Sequence, residues 1–221
     1  MALLIAAVVV YGFGRRMDQR LIHPAIPRPF VLYIHAAVFS AWVLFLVGQT
    51  VLVRTHNVRL HRRIGVFGAV FGAVVAVLGI WTAIAMSSFN TVVLHRNDAA
   101  LALLRSFYDI AAFVILFALA VYLRKKPEFH RRLTLVAVWA LTDPAFSRFP
   151  DLPIHLGAYQ DYGCLNLLLV LGAARDLVVN RSVHRVYLYV LPAFVVCQVI
   201  VVEAIRSHSP LWLRIAHAIL D

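Results

Sequence analysis

The chain has 221 residues, 62% of them hydrophobic and 14% charged, with mean hydropathy +0.84 and a net charge of +11. Soluble domains are about 45–50% apolar and about 25% charged, so these values exclude a water-soluble single-core protein and a disordered one alike. The basic surplus falls in short loops between apolar runs, where it sets topology and meets anionic headgroups, so the expected partner is a lipid bilayer and not nucleic acid.

In chain order, the first apolar run, Ala2 to Phe13, is short and is followed by Arg15 and Arg16. A cleaved signal peptide carries its positive charges before the apolar run, so this segment reads as a first helix whose arginines snorkel. A bilayer core takes about 20 apolar residues per helix. Residues 29–53, 64–87, 99–123, 131–148, 160–179 and 186–205 supply six more spans. The tail from Pro210 to Leu220 sets Trp212 and Leu213 beside Arg214 and His217, an amphipathic pattern expected to lie along the outer interface. The expectation is an all-α polytopic bundle of seven transmembrane helices in one domain. It divides into a first helix and loop (1–28), a repeat bundle (29–148), helices six and seven (149–207) and an interfacial tail (208–221).

Basic residues orient the bundle. Arg54, Arg59, Arg62 and Arg63, then Arg124, Lys125, Lys126, Arg131 and Arg132, then Arg175, Arg181 and Arg185 lie on one side, twelve in all, against eight on the other (Arg15, Arg16, Arg20, Arg28, Arg96, Arg148, Arg206, Arg214). The richer side is the expected cytoplasmic one, with the N-terminus inside and the C-terminus outside.

Two stretches are alike. Tyr33 to Gly65 ends in RLHRRIG and Tyr108 to Thr134 in EFHRRLT, with Tyr33, Ala36 and Ala37 matching Tyr108, Ala111 and Ala112. Each unit is two helices, so the copies face the same way, which predicts a pseudo-two-fold along the membrane normal relating helices 2–3 to 4–5. Gly68 and Gly72 on the third helix predict a flat face for an internal close contact.

The same residues carry a resemblance. His35, Phe39, Trp42, Gln49, His61, Arg62, Arg63, Gly65, His130, Arg131, Arg132 and the run Asp143, Pro144, Ala145, Arg148 resemble the motifs of a group of bacterial predicted multi-spanning membrane proteins with a repeated His-Arg-Arg helix start and an Asp-Pro-Ala-x-x-Arg helix end. The likeness covers roughly residues 10–150 and departs at Thr134, where the group often has Met. It implies a bacterial inner-membrane protein and carries no activity. The His-Arg-Arg start is also similar, more loosely, to small membrane proteins linked to haem–copper oxidase assembly.

An ionisable group inside a span is costly and by default points to function. His35, Arg105, Asp109, Asp143, Arg148, Asn166 and Glu203 all fall in the outer half of the predicted spans and form a candidate buried polar site. His35, Asp109, Asp143 and Glu203 have the donor chemistry for a divalent metal, though no H-x-x-x-H or H-E-x-x-H spacing supports one. The same groups could instead be internal ion pairs. On the cytoplasmic side His61 and His130, on diagonal helices, form a candidate axial pair for haem b, or else interfacial caps. Pro144 inside the fifth helix would free the Ala140 carbonyl, or end the helix in a turn that Arg148 satisfies. The remaining histidines, His23, His56, His95, His155, His184, His208 and His217, read as solvated. Cys164 and Cys197 read as packing residues. No motif decides for or against an enzyme. The expected function is a membrane protein with a buried outer-half site for a redox cofactor, metal or lipophilic small molecule. The alternatives are a proton-coupled carrier and a non-catalytic subunit or assembly factor that works with partner membrane subunits.

Overall fold

The computed structural model describes residues 1–149 and 157–220, so His155 lies outside the described residues. Among them are helices α1 (Ala2–Met17), α2 (Phe30–Arg54), α3 (Val58–Val92), α4 (Ala99–Tyr122), α5 (Pro127–Ala140), α6 (Asp143–Phe146), α7 (Gln160–Asn180), α8 (Arg185–Arg206) and α9 (Pro210–Leu220), and no strand. A π-helical segment, Asp18–Ile22, extends α1, and a 3₁₀ turn, Gly157–Tyr159, leads into α7.

The helix ends follow local chemistry. Asn57 caps α3 by accepting from the Leu60 amide, Pro127 opens α5, and the His184 ring accepts the Val186 amide at the start of α8. His56, His95 and His208, read from sequence as merely solvated, take positive φ at 59°, 52° and 50° just beyond helix ends, the left-handed position that reverses the chain.

Five helices are long and apolar enough to cross a membrane: α2, α3, α4, Gly157–Asn180 and α8. Their outward faces carry large apolar side chains: Phe67 is 74% exposed, Val66 69% and Trp81 57%. A continuous apolar exterior of this kind is what hydrocarbon solvates and water does not. α1 and α5 are shorter, with 16 and 14 residues.

The fifth helix corrects the sequence expectation of a span over 131–148. α5 stops at Ala140, the chain turns through Leu141 and Thr142, and α6 restarts at Asp143 with Pro144 in its first turn. Thr142 donates its hydroxyl to the Trp139 carbonyl (2.7 Å), and Arg148 donates to the Pro144 carbonyl. Asp143–Pro144 is therefore a helix-starting turn and not a kink inside a helix.

The core explains the small residues. Trp42 of α2 packs edge-on against Phe71, Phe113 and Phe117 at 5.3, 5.9 and 5.4 Å. A Cβ on Gly72 would sit 2.2 Å from the Phe117 ring, and one on Gly68 2.8 Å from Phe45. The Gly68/Gly72 face is thus an internal contact with α2 and α4, as the spacing predicts. α4 is the central helix, packed against α3, α5, α8 and α9, while α1 lies on α2 and α6.

Candidate functional site

Arg105 lies six residues into α4, about 9 Å along the helix, in the half of the bundle nearer the α3–α4 loop. Its guanidinium reaches two other helices: Nε is 2.9 Å from Asp143 Oδ2 at the start of α6, and Nη1 is 3.0 Å from Asp161 Oδ2 in the first turn of α7. It also lies over the Tyr162 ring, 4.5 Å from the centroid. One turn further along α4, Asp109 is 4% exposed and faces Asp143 and Tyr162. Tyr108 packs edge-on against Tyr162 at 5.7 Å.

Of the two internal partners the sequence offers Arg105, Asp109 on its own helix and Asp143, the structure pairs it with Asp143, across helices. The α5–α6 turn aims Asp143 inward, and α7 begins where Asp161 can reach the same arginine. Asp143 is 2% exposed. Buried Asp109 and Asp143 and the partly exposed Asp161 face the Arg105 guanidinium, with Arg148 as a second cation near Asp143, so the carboxylates outnumber the cations. One oxygen each of Asp109 and Asp143 and the hydroxyls of Tyr108 and Tyr162 are buried without a hydrogen-bond partner among the described residues. Native interiors rarely leave such groups unpaired, so they call for a partner such as an ordered water, an ion or a ligand.

The other outer-half candidates sit around this cluster or away from it. Asn166, one turn beyond Tyr162, donates Nδ2 to Gln198 Oε1 (2.8 Å), tying α7 to α8. Arg148 has Arg16, Arg20 and Asp143 as charged neighbours and lies near His35, but its guanidinium lies over the Phe13 ring at 4.5 Å, and Arg105 is what pairs with Asp143. His35 stacks on Phe39 (3.9 Å), and its buried Nδ1 has no partner among the described residues. Glu203 is a correction. It is exposed on the last turn of α8, 3.0 Å from Arg206 and bonded by the Tyr159 hydroxyl, because its helix face turns away from the bundle. The expected metal set of His35, Asp109, Asp143 and Glu203 does not assemble: among the described residues no three His, Cys, Asp or Glu side chains converge as metal ligands.

At the opposite end, His61 and His130 are neighbours, with ring centroids 6.3 Å apart and planes at 63°. His130 Nδ1 lies 2.9 Å from the Ala120 carbonyl, which can only accept, so Nδ1 carries the proton and Nε2 is the free acceptor. Beside them is a network that the sequence reading missed. Arg132, 3% exposed, donates Nε to Asp176 Oδ2 and Nη1 to Glu128 Oε2, each at 2.5 Å. Arg132 was expected to meet headgroups; instead it clamps α5 to α7.

Asp161, Tyr108, Tyr162 and Asp176 are the groups that sequence reasoning passed over. Asp176 lies in an apolar run, so the cost rule that singled out Asp109 applies to it equally. Tyr108 and Tyr162 carry no such signal, because an apolar ring hides the hydroxyl in any hydropathy count. Compared with protein families, with curated proteins and with solved structures, the chain matches none.

Proposed function

We propose that the protein is a polytopic integral membrane protein that takes up positive charge at the Arg105–Asp109–Asp143–Asp161 cluster, as a proton or as the cationic group of a small molecule, and couples it to movement of that molecule across the bilayer. The observation that carries this reading is the charge imbalance: three carboxylates from three helices meet the Arg105 guanidinium, and with Arg148 as a second cation near Asp143 the carboxylates still outnumber the cations. In hydrocarbon each uncompensated charge costs about 2.5–3.5 kcal/mol even on the lenient insertion scale. A cation or proton relieves that cost, and the partnerless tyrosine hydroxyls beside it can orient a polar ligand.

On this reading α1 and α5 join the five long helices as the sixth and seventh spans. The N-terminus is cytoplasmic and the C-terminus outside, in a bacterial inner membrane. Helices α2–α3 and α4–α5 form the two copies of a parallel repeat, which the side-by-side His61 and His130 support. The protein then stands with the bacterial membrane proteins that share its His-Arg-Arg and Asp-Pro-Ala-x-x-Arg motifs.

The test is proton flux into vesicles carrying the purified protein and an internal pH dye, under an imposed membrane potential, with and without a panel of small amines. The wild type should exceed protein-free vesicles, and Asp143→Asn should abolish the excess while remaining inserted. Equal flux in both proteins would end the reading.

A second reading rests on the histidine pair. Two imidazoles on opposite sides of one metal ion, each bonded at about 2.0–2.1 Å, hold their ring centroids roughly 6 Å apart. The His61–His130 separation fits that span, and a second-shell carbonyl fixes the tautomer of His130. Haem b bound there would supply one-electron transfer. A Soret band in purified protein that disappears in His61→Ala supports this reading, and a colourless preparation from haem-sufficient cells refutes it.

A further inference from the structure

At the end of the bundle where α3 passes to α4, a cleft of about 240 Å³ opens between α3, the loop and α9. Its polar lining is Ser88, Thr91, Arg96, Asn97 and His217, of which Thr91 already donates to the Ser87 carbonyl, and Val92 and Leu220 form an apolar wall. No carboxylate of the described residues lines it. Asp98 takes the Arg96 Nε–H and an Nη2–H, at 3.0 and 2.7 Å, and so leaves three of the five guanidinium N–H groups for another acceptor.

The surroundings are cationic. Arg16, Arg28 and Arg96 are the charged neighbours of Arg20. Burial and those like charges together hold the Arg20 guanidinium below the usual arginine value. The nearby acids are engaged: Asp98 by Arg96, and Asp18 by His23 at 2.8 Å. Among the described residues none of Arg16, Arg20 and Arg28 has a carboxylate within ion-pair distance, although Arg28 lies over the Phe89 ring at 5.1 Å. α9 is amphipathic and is held across this end of the bundle by Trp212, whose Nε1–H donates to the Ala100 carbonyl (2.8 Å). Indole at that level is typical of a membrane–water interface.

We propose that this cleft binds a phosphate-bearing anion, with the headgroup of an anionic phospholipid as the favoured source. The donors match phosphate: a guanidinium with spare N–H groups, an amide, a hydroxyl and an imidazole line one cleft, and guanidinium–phosphate hydrogen bonds are among the strongest available to a side chain. The apolar wall of Val92 and Leu220 favours a lipid, because it continues the contact from headgroup to acyl chain, whereas a free phosphate has no use for it. The site is separate from the carboxylate cluster. Only its lipid arm rests on the membrane reading, and its failure would leave the proton-flux test untouched.

The experiment uses the full chain purified in mild detergent. Native mass spectrometry measures retention of phosphatidylglycerol against phosphatidylcholine, and isothermal titration measures inorganic phosphate. Phosphatidylglycerol should be retained about tenfold over phosphatidylcholine, and Arg96→Gln should remove about tenfold in affinity, the effect of one charge-assisted hydrogen bond. Asp98→Asn frees the two engaged N–H groups and should tighten binding, a gain that no misfolded variant would show. Arg124→Gln, at the other end of the bundle, should change nothing. Binding of inorganic phosphate that is lost in Arg96→Gln, without lipid preference, supports the phosphate chemistry and assigns it a soluble source. Equal retention of both lipids together with no phosphate binding overturns the proposal. So does retention unchanged in both Arg96→Gln and His217→Gln.

Discussion

Asp176→Asn is the sharpest structural perturbation. Asp176 is 2% exposed; its one charged partner at short range among the described residues is Arg132, itself 3% exposed, while Asn180 Nδ2 donates to its other oxygen at 3.2 Å. The amide keeps the shape of the carboxylate and loses its charge, so the guanidinium remains buried with half its compensation gone. Removing one member of a buried ion pair costs about 3–5 kcal/mol when nothing replaces it. Here Glu128 stays 2.5 Å from Arg132, but its side chain is 57% exposed and water screens it. The expected loss is therefore below that range, about 2–3 kcal/mol, or roughly a 30- to 150-fold shift in the folding equilibrium. Reversible unfolding of the purified protein in mixed micelles, followed by circular dichroism, measures it. Arg131→Gln is the control: its pair with Glu128 is half-exposed and should be worth well under about 1 kcal/mol. Because Asp176 and Glu128 share Arg132, the double change Asp176→Asn with Glu128→Gln should be non-additive. A loss under about 0.5 kcal/mol for Asp176→Asn, within the range of ordinary surface changes, would refute the claim that this clamp holds α5 to α7.

Gly72→Ala should destabilise by about 1–3 kcal/mol in the same assay, since its Cβ meets the Phe117 ring at 2.2 Å, while Gly65→Ala, with nothing within 4 Å, should be neutral or stabilising. Glu128 accepts from both Arg131 and Arg132, and protonating its carboxylate in acid removes the charge that these pairs need. Stability measured from neutral into acid should therefore drop less steeply in Glu128→Gln than in the wild type, and identical slopes would contradict the pairing.

Apolar run length made five helices legible to within a residue or two at most ends, because hydrocarbon allows few other solutions. α3 is the exception: its Arg-rich first turns and polar last turns extend to Val58 and Val92, beyond the apolar stretch of 64–87. Residues 131–148 misled for a different reason. Hydropathy does not register that Thr142 and Pro144 together offer the backbone a tight turn, so one predicted helix is α5, a turn and α6. The cost of intramembrane charge singles out Arg105, Asp109 and Asp143, which the structure brings together, but it leaves open which carboxylate Arg105 pairs with, because that depends on which helices are adjacent. Asp161, at the first turn of a predicted span, reads as interfacial until α7 is set against α4. Glu203 failed through helix phase: a depth estimate does not say which face a residue occupies.

If the buried cluster takes up positive charge, infrared difference spectroscopy on the reconstituted protein reads it at the carboxyl groups as the pH is changed. A carboxyl band, slow to shift in deuterated water, should titrate in the wild type and be lost in both Asp109→Asn and Asp143→Asn. A titrating carboxyl signal that is unchanged in both variants would contradict that uptake.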